Sequence, residues 1–259
     1  MSVVTFDLWH TLLYLPPDEE EKYMRHQVEL ATEALRSAPA LPGAPSLGVE
    51  ELSRAFRHEY DAAVAEASRG ISVTPREQLE RAARECGRRP DVDGYLRSLR
   101  TLVEELPLLR APGAIELLEG LRSDGLSLAL LSNTIGEPGD YLRPALERLG
   151  LRAFFPVIVF SDEHPWTKPA PEIFLEALRR LGASPGEAVH VGDGWSDLEG
   201  ARRAGYRAGI LFEGLGDYGE TYRKLFAARP AGGLEAAYRA RTLEEVRGLV
   251  RRILGGRRA

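Results

Sequence analysis

Cysteine is almost missing from this chain of 259 residues: Cys86 stands alone. One thiol excludes an intrachain disulfide and fits a reducing compartment. Lysine is scarce as well, at Lys22, Lys168 and Lys224, while arginine is abundant, so a lysine inside a patterned motif is conspicuous. No apolar run approaches the ~20 residues of a membrane span. Met1 leads straight into an apolar stretch, leaving no room for a leader. These absences predict a cytoplasmic protein. An excess of positive charge is lacking too. The formal net charge is −5, which provides no basic footprint for nucleic acid. The expected partner is therefore a small-molecule substrate, with no nucleic acid and no membrane, for a monomer or homodimer.

What is present is the composition of a globular protein, 44% hydrophobic and 28% charged. The length allows one large domain or two unequal ones. The apolar, β-branched run Val3-Val4-Thr5-Phe6 stops on a carboxylate, Asp7, and Thr11 follows. That reads as a buried parallel strand delivering Asp7 to the crevice where open α/β sheets bind ligands. A lone Asp also fits a turn cap. Further downstream, Ser132-Asn133 follows the run Leu126 to Leu131, Lys168-Pro169 precedes a helical period, and Gly192-Asp193 ends the run Ala188 to Val191.

Between Asp18 and Pro107 the periods are helical and no strand is predicted. Met24, Val28, Ala31 and Leu35 share one helix face. Leu52, Phe56, Tyr60 and Val64 mark a second helix. Thr74-Pro75-Arg76-Glu77 is a capping box opening a third, and Tyr95, Leu99, Leu102 and Val103 mark a fourth. From Pro112 the rhythm becomes helix, strand, helix, strand: helices Ala114 to Leu121, Tyr141 to Leu149, Pro171 to Leu181 and Asp197 to Ala204, with strands at Leu126 to Leu131, Val157 to Phe160, Ala188 to Val191 and Ala208 to Phe212. Such alternation predicts an α/β fold with a parallel sheet covered on both faces. A glycine-rich loop at Gly214, Gly216 and Gly219 follows. A second capping box at Thr242 to Glu245 opens the last helix, and Arg257-Arg258 reads as a solvated tail.

A carboxylate, a hydroxyl, an ammonium and a second carboxylate, in that chain order, resemble the haloacid dehalogenase-like (HAD) hydrolase superfamily from Val3 to about Leu254. The resemblance implies a Rossmann-like core at 1–15 and 108–259 and an inserted all-helical cap at 16–107 that closes over the site and governs selectivity. It further implies phosphoryl transfer. Asp7 would be the nucleophile forming an aspartyl-phosphate. Lys168 would pair with Asp7 and the transferring group, and would serve turnover rather than folding. Ser132 and the Asn133 backbone would donate to phosphoryl oxygens. Mg²⁺ would be bound by Asp7, Asp193 and the Trp9 carbonyl. Asp197 would hold a metal-bound water or orient Lys168; an ordinary first-turn helix acid is its other reading. Thr11 would hydrogen-bond Asp7 or its loop.

One position departs from the family pattern. Two residues past the nucleophile most HAD phosphatases carry a second Asp, the general acid and base, and here stands Trp9. An indole cannot transfer that proton, a loss of roughly 10²–10⁴ in rate that falls least on substrates with good leaving groups. His10 or His164 is a substitute proton carrier in one reading. An aromatic there also resembles the 2-haloacid dehalogenases, in which Arg25 or Arg36 would bind halide or carboxylate. A non-catalytic phosphate-binding protein is a third reading. Finally, Trp9, Trp166 and Trp195 each lie two residues from a proposed site residue, and with His10 they are candidates to line the pocket.

Overall fold

The computed structural model describes residues 1–215 and 237–255. Most of the glycine-rich loop, from Gly216 on, and the tail with Arg257 and Arg258 lie outside the described residues.

β1 (Val3–Phe6) is buried on both faces, as a β-branched run without polar alternation requires. It pairs in parallel with β4 (Ser127–Ser132) on one edge and β6 (Ala188–Gly192) on the other, Phe6 lying opposite Leu130 and Val191. β5 (Val157–Phe160) extends the sheet beyond β4; β7 (Ala208–Phe212) and β8 (Arg239–Ala240) extend it beyond β6. The order is β5-β4-β1-β6-β7-β8, so β1 lies where the winding reverses. Alternation along the strands divides the core in two. Val4, Phe6, Leu128, Leu130, Val189 and Val191 pack toward α5 (Ala114–Ser123) and α9 (Leu243–Gly255). Val3, Ala129, Leu131 and Val159 pack against Phe174 and Ala177 of α7 (Pro171–Leu181) and Ala201 of α8 (Trp195–Arg203). α6 (Gly139–Arg148) joins β4 to β5.

Four helices are inserted after β2 (Leu13–Tyr14): α1 (Pro17–Ser37), α2 (Val49–Ser68), α3 (Pro75–Glu85) and α4 (Val92–Glu104). Among the described residues this insert contains no strand, only isolated bridges such as Ile71 with Trp166. α3 is capped as its sequence predicts: Glu77 N donates to Thr74 Oγ1 (3.2 Å) and Thr74 N to Glu77 Oε2 (2.8 Å). Two features differ from the sequence reading. α1 starts at Pro17, and its buried face runs through Tyr23, Gln27, Ala31 and Leu35, leaving Met24 and Val28 half-exposed. The insert also leaves and rejoins the core through an antiparallel pair, β2 with β3 (Leu109–Arg110). Two residues per strand are too few to show a period in sequence.

Candidate functional site

Asp7 is the first residue beyond β1, and its backbone N–H donates to Val191 O at 2.8 Å, prolonging the ladder by one residue. Its side chain therefore emerges at the carboxyl edge between β4, which ends on Ser132, and β6, which is followed by Asp193. Lys168 comes from the loop before α7 and reaches the same point. Its Nζ donates to Asp7 Oδ1 and to Asp197 Oδ1, the latter at 2.6 Å. Asp7 is 6% and Lys168 2% exposed. α8 begins at Trp195, which puts Asp197 in its first turn, where the carboxylate also accepts Gly194 N (3.0 Å). Both proposed readings of Asp197 meet here, since it is a first-turn acid and it holds Lys168. Gly192 makes this possible, because a Cβ there would come within 2.3 Å of Asp197 Cγ.

Behind Asp197 stands His190, fully buried on β6. Its Nε2 lies 3.0 Å from Asp197 Oδ1, and its Nδ1 2.8 Å from Thr5 Oγ1. A carboxylate only accepts, so Nε2 carries the proton and Thr5 donates to Nδ1. Burial pushes the His190 pKa down and keeps the ring neutral. A chain of contacts thus runs Thr5–His190–Asp197–Lys168–Asp7.

The charges do not balance. Oxygens of Asp7, Asp193 and Asp197 lie within 4.8 Å of one another around one ammonium. Burial raises the Asp7 pKa, Lys168 lowers it and Asp197 raises it, for a net rise to about 6. Burial, then Asp7 and Asp197, push Asp193 well above the ordinary carboxylate range. Burial opposes ionisation of Asp197, but Lys168 and His190 outweigh it and hold that carboxyl below its usual range. For Lys168, burial disfavours the charge, and Asp197 and Asp7 more than restore it. A surplus of buried carboxylate oxygen is the donor set a hard divalent cation such as Mg²⁺ takes. Asp197 is committed to Lys168, His190 and Gly194, so Asp7 and Asp193 are the candidate carboxylate ligands.

The remaining predicted residues divide. The Asn133 side chain grips the Lys168 backbone in both directions, Oδ1 accepting Lys168 N (2.8 Å) and Nδ2 donating to Lys168 O (3.0 Å). This is a positioning contact that the expected backbone role did not include. Ser132 is buried at the strand end. Thr11 meets the loop after Asp7 through its backbone, N donating to Leu8 O at 3.4 Å, while its Oγ1 is buried and makes no hydrogen bond. His10, in the left-handed region at φ 56°, turns Nε2 to Glu20 of α1 at 3.3 Å. His164 stacks on Trp166 and faces Arg180. Trp195 packs under Arg203. Arg25 and Arg36 lie on the exposed side of α1, beside Glu29 and Glu33. Trp9 donates its indole N–H to Glu137 Oε1 (3.0 Å), while Tyr23 Oη of α1 donates to Oε2 (3.0 Å). Sequence reasoning missed Glu137, Tyr23, Gln27 and His190. The available signals were a carboxylate four residues past Asn133 and a single His inside an apolar run.

A carboxyl-edge site at the reversal of a parallel sheet, built on acid, hydroxyl, lysine and acid, defines a hydrolase class. A family model described as haloacid dehalogenase-like hydrolase matches residues 1–205, and the chain belongs to that family. It is 36% identical over 197 residues to a phosphoserine phosphatase of Thermus thermophilus, covering 73% of this chain and 75% of that one. It is 35% identical over 110 residues to a phosphoglycolate phosphatase of Salmonella paratyphi A, where the match spans 42% of either chain. Among solved structures, a HAD phosphatase from Thermococcus onnurineus resembles it over 100% of both chains, with 27% identity and a TM-score of 0.61.

Proposed function

We propose that this protein is a Mg²⁺-dependent phosphomonoester hydrolase of the helical-cap subgroup, cytoplasmic, acting on a small phosphorylated metabolite. The observation that carries the reading is Lys168 held between Asp7 and Asp197 with Asp193 alongside: one ammonium, a nucleophile and a surplus of carboxylate in a buried site. Asp7 is the nucleophile. Its free oxygen attacks phosphorus, the bond to the leaving oxygen breaks, and an aspartyl-phosphate forms. Water then attacks the same phosphorus, releasing inorganic phosphate and restoring the carboxylate. Lys168 offsets charge on the phosphoryl group and on Asp7; Asp197, His190 and Asn133 hold it in place. Ser132 and the Asn133 N–H donate to phosphoryl oxygens. Asp7, Asp193 and the Trp9 carbonyl would hold Mg²⁺, which would supply divalent charge to offset the phosphoryl group. Trp9 provides no proton, so the leaving oxygen takes one from solvent, and substrates whose leaving groups carry negative charge well are favoured.

The dehalogenase reading lacks its anion clamp, since Arg25 and Arg36 face solvent, and the retained Asp193 suits a metal better than a haloacid. The test is a Mg²⁺-dependent screen of phosphate esters, with phosphoserine, phosphoglycolate and an aryl phosphate first, alongside halide release from 2-haloacids. Phosphate release that stops with EDTA and in Asp7→Asn is expected. EDTA-insensitive halide release overturns the proposal, and no turnover of any ester leaves a non-catalytic phosphate binder.

A further inference from the structure

Three consecutive core residues, Ile135, Gly136 and Glu137, are gripped by the helical insert. Ile135 packs with Ala63, Ala67 and Val73 of the insert, and its carbonyl accepts Gln78 Nε2 at 2.6 Å. The Gly136 carbonyl accepts Gln27 Nε2 at 2.9 Å, and a Cβ on Gly136 would come within 2.7 Å of that nitrogen, so a larger residue there would make the Gln27 amide shift. Glu137, 6% exposed, takes Tyr23 Oη from the insert on one oxygen and Trp9 Nε1 from the nucleophile loop on the other. No ion pair reaches this carboxylate among the described residues, so its two donors are a phenol and an indole. A buried carboxylate needs both.

Trp9 joins two functions in one residue. Its indole is seated on Glu137, and its carbonyl belongs to the proposed cation site together with Asp7, two residues back. The turn that follows is tight: His10 N donates to Leu13 O (2.8 Å) and Leu12 N to Leu8 O (2.9 Å), with His10 in the left-handed region. Such a turn has little slack, so a shift of the indole is passed to the Trp9 peptide.

We infer that Glu137 is a positioning residue whose two hydrogen bonds couple the seating of the helical insert to divalent-cation binding at Asp7, the Trp9 carbonyl and Asp193. This rests on the proposed metal site and goes beyond it: the insert, which supplies no ligand, sets the affinity. By reciprocity the cation tightens the insert by the same factor.

The experiment measures Mg²⁺ binding to the full chain by calorimetry without substrate, and hydrogen exchange of α1 with and without Mg²⁺. Tyr23→Phe loses one hydroxyl on the insert, whose hydrogen bond goes to Glu137; Glu137→Gln and Trp9→Phe break the bridge at its centre and far end. Each is expected to raise the Mg²⁺ dissociation constant roughly fivefold or more, the lower range of such couplings. The Tyr23→Phe/Glu137→Gln double variant should be no weaker than Glu137→Gln alone, because one bridge is broken once. Mg²⁺ should slow exchange in α1 of the wild type and not in Glu137→Gln. If Glu137→Gln fails to fold, Tyr23→Phe and Trp9→Phe carry the test. Wild-type Mg²⁺ affinity in Tyr23→Phe, or multiplied effects in the double variant, overturns the coupling and leaves the metal site standing. A wild type that binds no Mg²⁺ overturns both.

Discussion

Lys168→Met tests the electrostatic account most directly, because methionine keeps the stem of the side chain and removes its charge. Sequence alone expects Lys168 to matter for turnover and not for folding. Its burial between Asp7 and Asp197 changes that expectation. Without the ammonium, buried Asp7 and Asp197 and half-buried Asp193 face one another with no cation, and breaking a buried pair from one side costs about 3–5 kcal/mol. In a chain of this size that lowers the melting temperature by roughly 10 °C. The loss should depend on pH. Without Lys168 the already raised folded-state pKa values of Asp7 and Asp193 climb further above their unfolded values, and Asp197 loses the partner that holds its own down. An acid with a raised folded pKa stabilises the fold at low pH and loses that contribution as pH climbs through the raised value. The variant should therefore lie closer to the wild type at pH 5 than at pH 8. Adding Asp197→Asn should recover part of the deficit, since one uncompensated charge is then gone. The assay is thermal unfolding in EDTA at both pH values, for both single variants and the double. A melting temperature unchanged from the wild type at pH 8, or a deficit larger at pH 5 than at pH 8, would refute the reasoning.

Three further outcomes are expected. Burial raises the Glu137 pKa from 4.5 to about 7 against the lowering donors Tyr23 and Trp9; at about 1.4 kcal/mol per tenfold change in proton affinity, some 3 kcal/mol of stability is lost as pH rises through that interval. Glu137→Gln lacks this loss, so the stability difference between it and the wild type should change by about that amount between pH 4.5 and 7 in urea titrations, and a constant difference would contradict it. Gly192→Ala puts a methyl into Asp197 and should cost about 1–3 kcal/mol together with most phosphate release; a variant as active as the wild type would mean that Asp197 does not need its present seat. Trp9→Asp places a carboxyl where the family keeps its acid, so the rate on alkyl phosphates should gain more than that on aryl phosphates, and equal gains would show that protonation was not limiting.

The parts legible in the sequence were those encoded by local pattern. β1 and β6 are apolar runs stopped by an acid, and both proved to be inner strands with Asp7 and Asp193 at their carboxyl ends. The helix Pro171–Leu181 and the strands Val157–Phe160 and Ala208–Phe212 have the bounds their periods and flanking residues predict. Glu137 was not legible, because nothing local says that an acid after Ile135-Gly136 will meet Trp9 and Tyr23, which lie 128 and 114 residues away in the chain. His190 hides in a strand that reads as core. Its partners Thr5 and Asp197 come from another strand and a helix, and only the parallel register, Thr5 opposite His190, aligns them. The face of α1 was misjudged because Tyr23 and Gln27 are polar at their tips, and it is those tips that reach the core loop. Thr11 fits the family spacing, yet spacing specifies no hydrogen-bond partner, and its hydroxyl found none.

The pairing of β2 with β3 has an evolutionary consequence. Leu13 faces Arg110 and Tyr14 faces Leu109 in antiparallel register, and residues so paired lie only about 5 Å apart. Departure and return of the helical segment are thus neighbours, and the ladder of the six parallel strands does not run through that segment. A lineage can lengthen, shorten or exchange everything from position 15 to 108 while the ends stay joined by the same short ladder. Any such change has one further constraint: the core loop at Ile135 to Glu137 must keep its partners on the helices that replace the present ones.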